Sequence, residues 1–314
     1  MRRYGRKHES FIVPFSNDIY ACPCTHDHEP TLLSFEVMPP RKPSLEAPFW
    51  QTVDQLLQVR PDFMSVTYGA GGKDRSNARA TVHRLVADTP IQPIAHLTCV
   101  GNSTAEVVST VYDYLDSGVR TFLALRGDPP AGEISWEPGP DGVASATELI
   151  HLIRTVEQRR CDAHPGEALR SAFKPLTIAV AAFPAGNPAA GTTPAQEVER
   201  LLVKQAAGAS FAITQLFWNA EVYASFVERA RRAGVHIPIV PGILPATDPA
   251  RLRRVQDLTG IEVPEQLLST LAGYQHQEQR DAFGAAFGSK LIHSVLEAGA
   301  PGVHLYPFNK AKPV

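Results

Sequence analysis

Short apolar runs alternate eight times with longer amphipathic stretches along most of this 314-residue chain. The short runs predict strands because they are apolar almost throughout, as parallel strands covered by helices must be. They comprise residues 32–37, 62–67, 93–99, 120–125, 176–182, 210–217, 237–242 and 302–308. Eight such units predict a parallel α/β fold, and eight is the number of strands that closes a barrel.

Helices are expected between the strands, at residues 47–59, 75–87, 104–117, 144–161, 194–207, 220–233, 249–259 and 264–298. Residues typical of helix ends support these bounds. Thr193 and Pro194 form a cap followed by proline at the first helical position, and Gly118 follows a helical run.

The turn after the first strand separates two α/β architectures. An open, doubly wound sheet usually carries a glycine-rich turn there. Residues 36–41 instead have the sequence Glu-Val-Met-Pro-Pro-Arg, without glycine. We therefore expect a single (β/α)8 TIM barrel over residues 31–314, preceded by an N-terminal extension over residues 1–30.

Composition excludes several classes of function. The formal net charge is -2 with both signs spread along the chain, which argues against a nucleic-acid partner. No apolar stretch is long enough to span a bilayer, and the basic N-terminus lacks the apolar core of a secretory signal. Four cysteines do not make a disulfide framework, so we expect a reducing, cytoplasmic setting. The sequence leaves open a monomer or a small homo-oligomer.

Polar side chains cluster at the predicted carboxyl ends of the strands, where barrel enzymes carry their chemistry. Two carboxylates, an amide, an imidazole and a phenol are therefore expected to converge on one mouth of the barrel. The polar residues at these positions include Glu36, Thr67, His96, Arg126, Asp128, Gln215, His304 and Tyr306.

Each of these residues also has a structural interpretation. Glu36 has apolar neighbours and precedes two prolines, which favours a partly buried carboxyl with a raised pKa, suited to general acid catalysis, over a surface residue. Asp128 could instead cap a Gly-Asp-Pro turn. A histidine inside a strand, such as His96, is more often a satisfied core residue than a catalyst. Gln215 would face the barrel interior or the helices, and a ligand could be its partner.

A cluster of soft ligands lies in the N-terminal extension. Cys22, Cys24, His26 and His28 alternate with other residues. Structural zinc sites usually separate paired cysteines by two to four residues, so this spacing is wrong for the usual tetrahedral site. We expect no metal site.

Seven segments, in order along the chain and each at a predicted strand end, together resemble the motifs of the methylenetetrahydrofolate reductase family. They are residues 34–41, 65–71, 96–99, 124–128, 207–217, 241–245 and 304–309. The resemblance covers residues 32–309 and is similar to the bacterial-type catalytic barrel of that family.

The resemblance implies a reaction and roles for individual residues. The family reduces 5,10-methylenetetrahydrofolate to 5-methyltetrahydrofolate. Glu36 would protonate N10 and open the five-membered ring, producing a 5-iminium cation that accepts hydride. Asp128 would stabilise the cation and hold the pterin, Gln215 would bind the pterin amide edge, and Tyr306 would contact the substrate.

Most members of the family hold FAD, and several flavin contacts are altered in this chain. Thr67, His96 and Arg126 remain, and Lys204 stays in register. Phe183 and Asn187 stand where the family usually has a tyrosine and a histidine. The resemblance thus implies a cofactor site formed by Thr67, His96, Arg126, Phe183, Asn187 and Lys204, in which FAD is doubtful.

Three functions are compatible with these residues. The first is direct hydride transfer from NADH to the iminium carbon, because a dihydronicotinamide is itself a hydride donor. The second is the same reaction with FAD as the intermediate hydride carrier. The third is a non-catalytic folate-binding barrel, which has no need of an acid at Glu36.

Overall fold

The computed structural model describes residues 31–68, 75–129, 136–312 and 314. Their strands form a single sheet of parallel neighbours in the order β7-β6-β5-β4-β3-β2-β1-β9-β8. The strands are β1 (Leu32–Val37), β2 (Phe63–Val66), β3 (Gln92–Thr98), β4 (Thr121–Leu125), β5 (Thr177–Ala182), β6 (Phe211–Thr214), β7 (Ile239–Val240), β8 (Gly242–Ile243) and β9 (Gly302–Leu305). The predicted barrel is confirmed.

The seventh barrel position holds two short strands instead of the single predicted strand 237–242. Strand β7 pairs with β6, whereas β8 pairs with β9. Pro241 lies between them and has no N–H with which to continue a ladder. Its carbonyl accepts from His304 N at 2.9 Å, and Gly242 N donates to Thr214 Oγ1 at 2.9 Å. The two short strands therefore close the barrel between β6 and β9.

The predicted sixth and eighth strands are shorter than expected at their carboxyl ends. Strand β6 ends at Thr214; the amide of Gln215 still donates to Ala182 O, but that of Leu216 is bonded to the side chain of Gln215. Strand β9 ends at Leu305, and Phe308 has a φ of 49°, which no strand residue adopts. These departures place residues 215–217 and 306–308 in loops at the mouth of the barrel.

Helices alternate with the strands, and two of the predictions are corrected. The helices are α1 (Glu46–Leu57), α2 (Arg75–Asp88), α3 (Thr104–Ser117), α4 (Ala146–Ala163), α5 (Pro165–Phe173), α6 (Pro194–Ala206), α7 (Ala220–Arg232), α8 (Pro249–Thr259), α9 (Glu265–Gly273) and α10 (Gln277–Glu297). Helix α5 was not predicted, and it starts anew because His164 before its proline is extended. The predicted helix 264–298 is two helices, since Tyr274 leaves helical geometry after Gly273.

The side chains inside the barrel change from apolar to polar along the strand direction. An apolar cluster that includes Leu32, Phe63 and Ile94 fills the end where the strands begin. Two residues further along the same strands come Ser34, Ser65 and His96, all buried. Successive inward positions are two residues apart. The next inward positions on β1 and β2, Glu36 and Thr67, therefore reach the mouth.

Candidate active site

A cavity of about 1340 Å³ opens at the carboxyl ends of the strands. All ten residues predicted for catalysis and binding line it. They are Glu36, Thr67, His96, Arg126, Asp128, Phe183, Asn187, Lys204, Gln215 and Tyr306. Pockets for one drug-sized ligand measure about 300–1,000 Å³. This cavity is therefore larger than one drug-sized ligand requires.

Glu36 is held in an environment that favours its protonated form. Burial raises the pKa of its carboxyl to about 7. Nε2 of His96 lies 3.9 Å from Glu36 Oε2, which is too long for a hydrogen bond. Burial also lowers the pKa of His96 to about 3, so the imidazole is neutral and the two groups do not form an ion pair. Glu36 therefore retains much of its proton near neutral pH.

A buried polar layer lies beneath Glu36. His304 Nδ1 is 2.7 Å from Ser34 Oγ, and its Nε2 is 3.4 Å from Ser65 Oγ. Burial, with a further contribution from His96, lowers the pKa of His304 to about 3. Nε2 of His96 is buried and has no hydrogen-bond partner among the described residues. That nitrogen is a polar group to which a bound ligand could bond.

Tyr306 forms part of the wall beside the acid. Its hydroxyl donates to Thr214 O at 2.8 Å, and its ring lies edge-on to that of His304 at 5.2 Å. Burial, followed by the nearby Glu36, raises the pKa of the phenol well above its ordinary value. The hydroxyl is thus neutral and already bonded to the protein, and the ring faces the cavity.

Asp128 and Gln215 supply polar groups at the mouth. Asp128 is exposed, and its carboxylate forms no ion pair or hydrogen bond with the other described residues. Gly127, at a φ of 87°, sets the turn before it, and a Cβ there would lie 3.1 Å from Thr98 Cβ. Gln215 Oε1 accepts from Leu216 N at 2.9 Å. The carboxylate of Asp128 is therefore available to a ligand.

The basic side chains of the cavity are bonded to the protein itself. Arg126 donates to Trp136 O at 2.7 Å and lies 5.8 Å from the centre of the Trp136 ring. Lys204 Nζ donates to Ala181 O at 2.8 Å, and burial lowers its pKa to about 8, although Glu197 opposes the shift. These two cations are not free for phosphates unless those bonds are exchanged.

The polar residues between β5 and α6 are also paired locally. The carboxylate of Glu197, which is buried, accepts from Thr192 Oγ1 and from Arg200 Nη1 at 3.0 Å. Asn187 Oδ1 accepts from Ala190 N at 3.3 Å, which caps a short 3-10 turn. The amide of Asn187 therefore has a structural role in addition to lining the cavity.

Among the described ranges, no group of three or more histidine, cysteine or acidic residues is placed to hold a metal ion. Cys22, Cys24, His26 and His28 lie outside those ranges. In the same part of the chain, no helix has the length and apolar composition needed to cross a membrane.

Comparison with known proteins identifies the family. A sequence model of methylenetetrahydrofolate reductase matches residues 24–314. The chain belongs to that family. The 5,10-methylenetetrahydrofolate reductases of Pectobacterium carotovorum subsp. carotovorum and Escherichia coli (strain K12) are each 30% identical to it over 281 residues. The alignments cover 89% of this chain and 86% and 87% of the two relatives.

More distant relatives agree with this assignment. Methylenetetrahydrofolate reductase (NADH) 1 of Arabidopsis thaliana is 26% identical over 291 residues, which are 90% of this chain and 47% of the plant protein. A Clostridium thermocellum protein that binds two copies of 5-methyl-5,6,7,8-tetrahydrofolic acid superposes with a TM-score of 0.58 at 15% identity over 88% of each chain. That likeness shows the fold alone.

As a methylenetetrahydrofolate reductase, the chain is an oxidoreductase that reduces methylenetetrahydrofolate to methyltetrahydrofolate. Trp136 and Glu197 are among the cavity residues that were missed in the sequence. For Trp136 the available signal was a tryptophan soon after the fourth strand, between Pro129 and Pro138. Glu197 is a buried acid inside a helix, and nothing in the local pattern distinguishes it from the exposed Glu199 beside it.

Proposed function

We propose that this reductase passes hydride directly from NADH to the one-carbon unit of methylenetetrahydrofolate, without a bound flavin. The supporting observation is that polar groups at the family's flavin positions are bonded to the protein. Arg126 is bonded to the Trp136 carbonyl, Lys204 to the Ala181 carbonyl and Asn187 to the Ala190 amide. NADH carries a pyrophosphate too, so what disfavours FAD in particular is that Phe183 and Asn187 replace the tyrosine and histidine that usually contact the flavin in this family. Arg126 or Lys204 would exchange its present bond on binding the pyrophosphate of NADH.

Glu36 is the proposed general acid. Its carboxyl, with a pKa of about 7, gives its proton to N10 of the substrate as the bond between N10 and the methylene carbon breaks. The electron pair of that bond goes to N10, and the methylene carbon remains on N5 as an iminium cation. Glu36 is left as a carboxylate and regains a proton from solvent after turnover.

Hydride then moves from C4 of the dihydronicotinamide to the iminium carbon, giving the methyl group and NAD⁺. The exposed carboxylate of Asp128 is proposed to stabilise the cation, and Gln215 to bind the pterin. The neutral states of His96 and His304 support this step, because a protonated imidazole near the acid would repel the cation.

The proposed arrangement uses both parts of the cavity. The folate would lie against Glu36, Gln215 and the ring of Tyr306. NADH would lie toward Thr67, His96, Arg126, Phe183, Asn187 and Lys204. The cavity volume of about 1340 Å³ supports simultaneous binding. The plant relatives named as NADH enzymes and the folate-binding Clostridium neighbour are compatible with these substrates.

The organisation of the chain is part of the proposal. Residues 31–314 are proposed as the catalytic barrel and residues 1–30 as an extension. Small-molecule substrates, a cytoplasmic location and a monomer or small homo-oligomer remain our interpretation of the composition. The two alternatives, FAD as a carrier and a silent folate-binding barrel, are separated from the proposal by experiment.

The test follows deuterium from NADH labelled in turn at each face of C4. Protein without visible flavin absorbance is incubated anaerobically with methylenetetrahydrofolate, and the product is analysed by mass spectrometry. We expect one labelled face to place deuterium in the methyl group in a flavin-free reaction. Turnover only after FAD is added, with label lost to solvent, would establish the flavin carrier. No turnover with or without FAD would support the silent folate-binding barrel.

A further inference from the structure

The turn after β9 contains two consecutive non-glycine residues in the left-handed region. Phe308 has a φ of 49° and Asn309 a φ of 55°. Asparagine tolerates this conformation, but a phenylalanine rarely adopts it. Such a conformation persists only where the surrounding structure holds it, and it is more common at functional sites.

Asn309 is bonded through its side chain to a single residue at the end of β1. Its Oδ1 accepts from Met38 N at 2.9 Å, and its Nδ2 donates to Met38 O at 2.6 Å. Its own carbonyl accepts from Thr52 Oγ1 in α1 at 3.3 Å. Two bonds to the two peptide groups of one residue fix both the position and the orientation of that backbone.

The bonds between Asn309 and Met38 lie just beyond the point where β1 stops pairing with β9, close to Glu36. Backbone pairing between β1 and β2 continues to Val37, but pairing between β1 and β9 ends at Phe35 and Leu305. Glu36 is the next residue after that last pair. On the β9 side, the Asn309 side chain therefore supplies the backbone bonds that the ladder lacks, two residues beyond Glu36.

We propose that Asn309 is a positioning residue for Glu36, holding the end of β1 so that the carboxyl is aimed at N10 of the folate. The inference rests on the general-acid role proposed for Glu36. Among the described residues, the titratable groups beside Glu36 are His96 from β3 and Tyr306 from the loop after β9, and both are neutral. Asn309 therefore acts through geometry and water exclusion and not through a change in neighbouring charge.

A double-mutant cycle tests the coupling. Asn309→Ala, Glu36→Gln and the double variant are compared by mass-spectrometric detection of methyltetrahydrofolate, which follows slow turnover. We expect Glu36→Gln to lower kcat by about 10²- to 10⁴-fold. We expect Asn309→Ala to lower kcat by about 10- to 100-fold in the native background. In the Glu36→Gln background the same change should alter kcat by less than about 2-fold, because the group it aims is already absent.

The pH dependence of kcat is a second test, because a purely structural role of Asn309 would leave it unchanged. In the native protein we expect kcat to fall as pH rises through about 7, where Glu36 would lose its proton. Loosening the end of β1 admits water, so the pKa of Glu36 falls toward its ordinary value. In Asn309→Ala the falling limb should therefore move to lower pH, with the KM for NADH unchanged. Asn309→Gln keeps both an acceptor and a donor on a longer side chain and should be intermediate, and it serves if the alanine variant does not fold.

Gln205→Ala is the matched control. The Gln205 amide also bonds backbone, donating to Gly234 O at 3.1 Å and accepting from His236 N at 2.8 Å, at the opposite end of the barrel. It should lower stability with little change in kcat. Equal losses from Asn309→Ala in both backgrounds, or a lowered Tm with kcat and pH profile unchanged, would overturn the inference alone. Full turnover by Glu36→Gln would overturn the acid role and the inference with it.

Discussion

Burial, more than any neighbouring charge, sets the protonation of the groups at the centre of the cavity. It raises the pKa of Glu36 to about 7 and lowers those of His96 and His304 to about 3. An acid is thus kept protonated while two potential cations are kept neutral. On the proposed route, the barrel interior that disfavours charge would thus prepare Glu36 as a proton donor and leave no positive charge to oppose the developing cation.

The Tyr306 hydroxyl is expected to act on stability more than on substrate binding. Tyr306→Phe removes its bond to Thr214 O and should cost about 1–3 kcal/mol of unfolding free energy, because a buried carbonyl loses its donor. The KM for folate should change by less than about 3-fold, since the ring remains. Steady-state kinetics and urea denaturation measure the two effects.

Tyr223→Phe is the control for that prediction. Tyr223 is also buried and donates to a backbone carbonyl, that of Ile239, at 2.8 Å, but it does not line the cavity. Both variants should lose similar stability. A rise of about 10-fold in folate KM for Tyr306→Phe alone would show that the hydroxyl contacts the substrate.

Helix α10 contains two glycines one turn apart, Gly284 and Gly288. Only at Gly284 does the helix pack closely against the segment between β8 and α8. A Cβ at Gly284 would lie 2.4 Å from Ala246 O and 2.5 Å from Thr247 Cγ2. At Gly288, one turn later, the nearest atoms are beyond 4 Å. The glycine at 284 therefore permits close contact between a helix and a segment that borders the seventh barrel position.

Alanine at these two glycines should have opposite effects. Gly288→Ala is expected to raise the unfolding free energy by about 0.5–1 kcal/mol, because alanine loses less backbone entropy in a helix. Gly284→Ala should lower it by about 1–3 kcal/mol, because the new methyl group meets backbone that must shift. Chemical denaturation of the pair gives the comparison. Stabilisation by both changes would contradict the close packing at Gly284.

Local signals were sufficient for some elements and insufficient for others. The bounds of β1, α3 and α8 equal the predicted ones, since capping residues and prolines mark them in the sequence. The break at Pro241 depends on partners 28 and 63 residues away, Thr214 and His304, which bond to this segment. No local pattern contains those partners.

The residues of the candidate site also divide into features that local sequence signals predict and features that depend on distant contacts. Their position at the predicted carboxyl ends of strands placed Glu36, Thr67 and His96 in the cavity. It could not indicate that Arg126 would be bonded to the carbonyl of Trp136, because that partner lies ten residues away, outside the strand. Residue identity and strand position were thus predictable, whereas the partners of long side chains were not.

At the scale of the whole molecule, the buried groups link folding to pH in opposite directions. His96 and His304 favour the folded state above pH 6.5, and this stability is lost as pH falls toward about 3, because the unfolded chain takes up the protons. Glu36 takes up its proton at a higher pH in the folded chain than in the unfolded chain. It therefore adds stability as pH falls from about 7 to 4.5. The stability lost through the two histidines exceeds the stability gained through Glu36.

Stability should therefore fall on acidification, on the order of 1.4 kcal/mol per pH unit between pH 6.5 and 4.5 from these groups, and more steeply below. A variant with both His96→Gln and His304→Gln should have a flatter dependence of unfolding free energy on pH. His151→Gln, at an exposed position, is the control and should leave the slope unchanged. An unaltered slope in the double variant would show that the two imidazoles are not the groups responsible.

The volume of the cavity has a consequence for how the enzyme responds to its surroundings. On the proposed route both substrates occupy the same space together, and the protein stores no electrons between turnovers. A flavoenzyme can be reduced before its acceptor binds, but on the proposed route this barrel would react only while donor and acceptor are both bound. Its rate would then depend on the concentrations of NADH and folate at that moment. It would not depend on whether the enzyme had been reduced beforehand.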